Sequence, residues 1–383
     1  MPHFPSPRTI QELGLHPERW DRILDLCRTM STDGTVPALA VDFVRGDGCL
    51  ERPLLYGRQL LADESGTIRD DAIFLVASLT KPFVAMATML LVDQGKLSLN
   101  ERVRDLIPEM DDTPKRPMTV RHLLTHTSGL PDMLPNNRQL REQQSPFQKF
   151  LEGTLAVTLD FPPGYGVQYQ SMGFVLLSEM IFRISGQRCS DFLRQKIFEP
   201  LGMHDTSLGA PDSWFGSGSP VVDRIVEVAV PEDQQEETDW NWNSRYWRQF
   251  GAPWGGLLTT PRDLAKWAVM MLNNGRAGDI DLFSPATIAA ATTNQLHDFR
   301  EVPEADRRAR GWGFGWRMNW SAHVASCGDL LSKSAYGHWG ATGTMLWIDP
   351  ERNAAAVILS TQPFEHSGGH LSRLSNAITA AIV

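Results

Sequence analysis

The chain is poor in cysteine: Cys27, Cys49, Cys189 and Cys327 are the only four in 383 residues, lie far apart and form no CxxC pair. This spacing argues against a disulfide framework or a zinc ribbon and predicts reduced thiols in a cytoplasmic protein. Positive charge is not in excess either, with 36 Lys and Arg against 45 Asp and Glu and a net charge of -9. Nucleic acid and anionic membranes are thereby excluded as main partners. Long apolar runs are missing. The longest, "FVAMATMLLV" from Phe83, is too short to span a bilayer, and "MPHFPSPRTIQELGLHPERW" lacks the basic-then-apolar pattern of a signal peptide. No internal repeat occurs, which excludes solenoids and propellers. There is no G-x-S-x-G elbow, no G-x-x-x-x-G-K-[ST] loop and no H-E-x-x-H pair.

What is present is an ordinary globular composition, 42% hydrophobic and 21% charged, in a chain long enough for a large core. "PALAVDFVR" reads as a strand, "GDG" as a turn and "CLERPLLYG" as its return. From 100 to 240 the pattern is mostly helical. "TVRHLLTHTSGLP" predicts a short helix closed by Gly129 and Pro131, and "MGFVLLSEMIFRISG" a helix stopped at Gly186. "SDFLRQKIFEPLG" predicts a helix capped by Ser190, and "TTPRDLAKWAVMMLNNG" one capped by Thr260 with Pro261 at its first position. "PEDQQEETD" reads as an acidic, solvated loop. Toward the C-terminus "GWGFGWRM", "YGHWGATGTMLWID" and "NAAAVILSTQ" read as strands, and "HLSRLSNAITAAIV" as a helix with Leu371, Leu374, Ile378 and Ile382 on one face. Strands at both ends with helices between predict one sheet built from both termini and an inserted helical lobe.

The chemistry centres on "FLVASLTKPF", residues 74 to 83. Residues three apart share a helical face, so Ser78 and Lys81 meet if a helix begins at the serine. Pro82 donates no hydrogen bond, which is best tolerated in the first turn, and it biases Lys81 away from the helical region. A serine at that end sits where the helix dipole favours negative charge, and a buried lysine there loses proton affinity and becomes a base. The bland reading is a helix-capping serine and a surface lysine. Two further stretches weigh against it: Tyr169 and Ser171 follow a Pro/Gly turn just before a helix, and His338 and Gly340 lie on a strand before a second glycine.

In order and spacing, Ser78-Leu79-Thr80-Lys81, Tyr169-Gln170-Ser171 and His338-Trp339-Gly340 resemble the three motifs of the serine β-lactamase and penicillin-binding-protein superfamily. The similarity is greatest to the class C β-lactamase-like branch, which includes family VIII carboxylesterases, D-amino-acid-specific peptidases and some acyltransferases. "LLTHTSGLP", "WGGLLTTPRDLAKW", "GWGFGW" and "HWGATGTMLWIDP" extend it over roughly residues 35 to 383. The resemblance implies an α/β (α+β) fold, an antiparallel sheet with flanking helices plus an inserted, mostly helical lobe, forming one catalytic unit. The α/β lobe would take about 1–88 and 250–383, and the helical lobe about 89–249, with the site between them. It also implies attack by Ser78 on an acyl carbon, with Lys81 and Tyr169 moving the proton and either of them the base. The oxyanion would be held by the N–H groups of Ser78 and Ala341. Ser171, His338, Trp339, Gly340 and Trp254 are the expected substrate-binding positions, Gly340 because a ligand approaches closely there. No cofactor or metal is implied, and the partner is a small-molecule acyl substrate.

Two departures bear on the substrate. Ser171 stands where many β-lactamases have asparagine, and His338 where they have lysine. A lysine is a permanent cation able to hold a carboxylate, whereas histidine is largely neutral at pH 7. Both changes favour neutral esters, so the expected activity is a carboxylesterase on small to medium acyl groups. A β-lactamase or D-amino-acid peptidase, an acyltransferase and a non-turnover penicillin-binding relative are the alternatives. His122 and His126 share a helical face at i, i+4 and are expected to serve a helix end rather than a metal. The cluster Trp240, Trp242, Trp247 and Trp254 reads equally as an acyl pocket or as a packed lid.

Overall fold

The computed structural model describes residues 4–216, 218, 220–318, 328–364 and 369–383, so Cys327 lies outside the described residues. Its main sheet runs in the order Ser6–Arg8, Gly48–Leu50, Ala38–Arg45, Ala354–Ser360, Thr344–Asp349, Tyr336–Gly340 and Arg317–Met318. Leu54–Gly57 is its eighth strand and also pairs with Ala38–Arg45. The pairings are antiparallel except that of Ser6–Arg8 with Gly48–Leu50. Strands from both ends thus meet at the centre, where Val357 lies opposite Asp42.

The period-two alternation of these strands sorts the core into two layers. Leu39, Val41, Phe43, Met345, Trp347, Ala356 and Ile358 face the helices Pro17–Thr32 and His370–Ala381. Ala38, Ala40, Val44, Leu346, Ile348, Val357 and Leu359 face the other way, toward helices Thr80–Asp93 and Pro261–Leu272. The C-terminal helix buries Leu371, Leu374 and Ile378 as its spacing predicts, with Ile382 at the edge. The helix Pro17–Thr32 is additional to the expected elements, and its buried Trp20, Ile23, Cys27 and Met30 recur at helical spacing.

Several boundaries differ from expectation. "CLERPLLYG" breaks into two short strands, and "YGHWGATGTMLWID" folds back as a hairpin whose turn carries Ala341 to Gly343. Gly343 takes φ +86 there, and a Cβ would press on the Gln362 carbonyl. Of "GWGFGWRM" only Arg317–Met318 is a strand, joined by a bridge from Trp312 to Arg317. The helix assigned to "SDFLRQKIFEPLG" spans Cys189–Leu193, with Arg188 rather than Ser190 at its cap, and widens into a π turn over Arg194–Phe198. Thr260 caps Pro261–Leu272 as predicted, its side chain accepting the Asp263 N–H. A second, three-stranded sheet places Leu257–Thr259 between Phe74–Leu75 and Ser207–Leu208. It draws part of the segment expected in the helical lobe onto the strand that leads to Ser78.

Candidate active site

The turn bearing Ser78 is wound tightly. After Phe74–Leu75, residues Ala77–Leu79 form a 3-10 turn that runs into the helix Thr80–Asp93. Ala77 is held at φ 44, a left-handed conformation costly for a residue with a Cβ. The surroundings over-determine it. Thr80 Oγ1 donates to the Ala77 carbonyl at 2.6 Å and accepts the Leu257 N–H at 2.9 Å. The Val76 N–H donates to the Leu257 carbonyl at 3.0 Å. Thr344 Oγ1 donates to the Val76 carbonyl at 2.9 Å, and Thr342 Oγ1 to that of Leu75 at 2.7 Å. These bonds tie the hairpin turn at Ala341 to the turn carrying Ser78. The Ala341 carbonyl accepts the Phe364 N–H at 3.0 Å, and the residue is exposed.

Gly340 makes this approach possible. A Cβ there would lie 2.1 Å from the Val76 carbonyl oxygen and 2.4 Å from Thr344 Oγ1. The close neighbour is the backbone of the turn that carries Ser78. Gly340→Ala is therefore expected to cost about 1–3 kcal/mol of stability through overpacking. Urea denaturation reads that loss, and an unshifted midpoint would refute it.

Lys81 is helical in spite of Pro82, because Pro82 falls in the first turn, where its missing N–H breaks no bond the helix needs. Its side chain is fully buried, with Nζ 3.0 Å from Ser78 Oγ and 2.9 Å from the carbonyl of Trp254. Burial drives its pKa down to about 7, partly opposed by the negative charge of Asp132. The half-buried Tyr169 hydroxyl is hydrogen-bonded to Ser78, and Lys81 Nζ stands 4.7 Å from the centre of the tyrosine ring. Burial and Asp132 push the tyrosine pKa well up, against the pull of the Ser78 bond. Ser78, Lys81 and Tyr169 are thus brought together.

Gln170 explains how Tyr169 is held. Its N–H donates to His126 Nδ1 at 3.0 Å and its Nε2 to the Leu123 carbonyl at 2.9 Å, while its Oε1 accepts the Gly173 N–H at 2.8 Å. One buried amide therefore caps the helix Met172–Ser185 and fixes the loop tip between Tyr169 and Ser171. The His126 ring packs 5.0 Å from Tyr169 and 4.1 Å from Trp312. Its burial, with Lys81, His338 and Arg317 nearby, holds its pKa well below the usual histidine range. His122 Nδ1 accepts the Thr119 N–H at 3.0 Å in a capping box. His122 thus serves its own helix end, whereas His126, at φ 59 beyond that helix, serves the distant Gln170 backbone, so the two do not share a helical face. Among the described residues no group of three or more His, Cys, Asp or Glu side chains is placed to hold a metal ion.

The expected substrate-binding residues are more dispersed. His338 is buried, its Nδ1 2.7 Å from the Trp339 carbonyl and its ring 5.9 Å from those of Tyr169 and Trp312. It backs the site instead of lining it. Trp339 packs with the layer on the other face of the sheet and stacks on Phe364 at 6.3 Å. The Trp254 indole is buried against Phe150 and Phe250, and only its carbonyl reaches the site. Of the other tryptophans, Trp240 and Trp247 clasp Arg141, with ring centres 4.7 and 4.3 Å from its guanidinium. Ser171 donates its hydroxyl to Asp132 Oδ1 at 2.6 Å. Asp132 was not anticipated, since nothing in "GLPDM" marks it and its partners are remote in sequence.

The fold and this Ser-Lys-Tyr grouping define a serine hydrolase of the β-lactamase and penicillin-binding-protein type. The chain belongs to the Beta-lactamase family, whose profile matches residues 54–380. It is 28% identical over 299 residues to penicillin-binding protein 4 of Amycolatopsis lactamdurans, covering 76% of this chain and 73% of that protein. To a putative D-alanyl-D-alanine carboxypeptidase of Escherichia coli K12 it is 26% identical over 343 residues, with 80% and 73% covered. Among solved structures it is similar to a penicillin-binding-protein homologue from Caulobacter crescentus, at a TM-score of 0.76 and 23% identity over 96% of this chain and 99% of the other. A family VIII carboxylesterase matches at 0.73 and 20% identity over 93% and 96%. No helix among the described residues is long and apolar enough to cross a membrane.

Proposed function

We propose that the protein is a carboxylesterase acting through an acyl-enzyme on Ser78. The observation that carries the mechanism is the fully buried Lys81 amine 3.0 Å from Ser78 Oγ, with its pKa near 7. As the neutral amine, Lys81 takes the Ser78 proton while Oγ forms a bond to the acyl carbon. The negative charge on the former carbonyl oxygen is met by the N–H groups of Ser78 and Ala341. Tyr169, kept protonated by its raised pKa, passes a proton to the departing alkoxide as the carbon–oxygen bond breaks. Lys81 restores the tyrosine proton. Water then attacks the acyl-enzyme by the same route in reverse, releasing the acid and Ser78. Lys81 is therefore the base and Tyr169 the proton conduit.

The preference for neutral esters rests on the groups that a β-lactamase or a carboxypeptidase would use for a substrate carboxylate. His338 is not a lysine and is withdrawn behind the site, and the hydroxyl of Ser171 is committed to Asp132. A small or medium acyl ester needs neither group. The likeness in fold to a family VIII carboxylesterase supports the reading, while the curated relatives favour a D-alanyl carboxypeptidase as the second one. The free, buried thiols of Cys27, Cys49 and Cys189 suit a reducing, cytoplasmic setting. The purified protein should be assayed on p-nitrophenyl acetate to octanoate, a chromogenic cephalosporin and a D-alanyl-D-alanine peptide. Neutral esters are expected to exceed both others in kcat/KM by at least about a hundredfold, the scale on which unpaired charge discriminates. A peptide or cephalosporin ranking first would overturn the esterase reading. Ester turnover diverted to an added alcohol would make the protein an acyltransferase.

A further inference from the structure

The proton-transfer scheme leaves one ionisable side chain at the site without a task. Asp132 is half-buried and held by Ser171 at two points. Its Oδ1 accepts the Ser171 hydroxyl at 2.6 Å, and its backbone carbonyl accepts the Ser171 N–H at 3.2 Å. The short bond is charge-assisted, and it uses the only proton that Ser171 has to give. The third position of the tyrosine motif therefore leads to a carboxylate acceptor where an asparagine would supply an amide donor.

This carboxylate lies close enough to act on both Lys81 and Tyr169. Of three basic groups at the site, two lose their charge in the working enzyme and the third has partners of its own. Lys81 loses its charge above about pH 7. His126 is held neutral. The Arg317 guanidinium is buried, stacked 5.3 Å from the centre of the Trp312 ring, and donates to the Ala309 carbonyl at 3.0 Å. A substrate entering beside Tyr169 accordingly meets the Asp132 carboxylate.

We propose that Asp132, aimed by Ser171, is a specificity-determining residue that selects substrates carrying an ammonium or similar cationic substituent close to the scissile acyl group. The inference rests on Ser78 as the acylated residue, and it narrows the ester reading from esters that lack a carboxylate to those among them that carry a cation. A carboxylate in the same place would face like charge, which costs affinity and capture rate.

The test compares three phenylboronic acids bearing aminomethyl, methyl or carboxyl groups, each assayed for protecting Ser78 from a fluorophosphonate probe at pH 8. Boronates bind the nucleophile without turnover, so the ranking is independent of whether esters or peptides are hydrolysed. The aminomethyl compound is expected to protect at a concentration at least about tenfold below that of the methyl compound, and the carboxyl compound to rank last. In Asp132→Asn the aminomethyl-to-methyl ratio should fall to within about threefold of unity. Raising the salt concentration on the wild-type protein should narrow the same ratio, because exposed charges are screened. That arm needs no mutant to fold. Protection without a charge ranking, or a ranking that persists in Asp132→Asn, overturns this inference and leaves the nucleophile standing. Failure of the probe to label Ser78 overturns both.

Discussion

Ser78→Ala is expected to lower hydrolysis of p-nitrophenyl butyrate by at least about 10⁴-fold and to abolish labelling by a fluorophosphonate, the scale seen when a nucleophile of a coupled group is removed. The physical basis is local. The turn that begins at Val76 carries a left-handed Ala77 held by Thr80, Leu257 and Thr344, a strained arrangement that presents one hydroxyl. That hydroxyl contacts the Lys81 amine and the Tyr169 phenol. Removing it leaves the helix and its supports intact, so the variant should melt no lower than wild type. Peptide mapping of the labelled protein is the direct check. A probe adduct on another serine, or turnover that survives in the variant, would remove the basis of the mechanism.

Lys81→Met and Tyr169→Phe are each expected to reduce kcat by at least about a hundredfold, and the double variant by far less than the product of the two. The pH dependence separates their roles. Only the neutral amine accepts a proton, and burial lowers the Lys81 pKa from 10.5 to about 7, so kcat/KM should rise with pH through that value and then level off. An acid limb centred well away from pH 7 would remove Lys81 as the base. Stability should respond in the opposite sense to activity. The folded-state pKa lies below the unfolded one, so below about pH 7 both states are protonated and the full cost of burying the charge is present. That cost declines as pH rises toward 10.5, because the unfolded chain then binds more protons than the folded one. Lys81→Met should therefore be more stable than wild type at pH 6, by about 1 kcal/mol or more, with the advantage shrinking in alkali. Thermal melts of both proteins across that range decide the matter.

The site was legible in the sequence to the extent that its chemistry is local. Ser78 and Lys81 are one helical turn apart, and the period of three to four fixes that pair whatever the rest of the fold does. The Thr260 cap, the Leu371-Leu374-Ile378 face and the alternation of "PALAVDFVR" are likewise short-range signals, and all appear in the structure. The hairpin at Ala341 was hidden because strand-forming residues lie on both sides of a turn marked only by Gly340 and Gly343.

By itself the sequence determined the family, the grouping of Ser78, Lys81 and Tyr169, and the assembly of one sheet from both termini, because these depend on residue types at fixed spacing and on periodicity. The tertiary structure alone decided which groups surround them. Trp254 contributes a carbonyl because its indole is taken up by Phe150 and Phe250, and His338 is buried because its strand packs behind Tyr169. Ser171 faces Asp132, 39 residues away, because two loops are laid side by side by the helices they join. Lys81 titrates near pH 7 only because closure of the fold removes water from it. Burial and hydrogen-bond partnership depend on which distant segments come together, and spacing along the chain does not encode them.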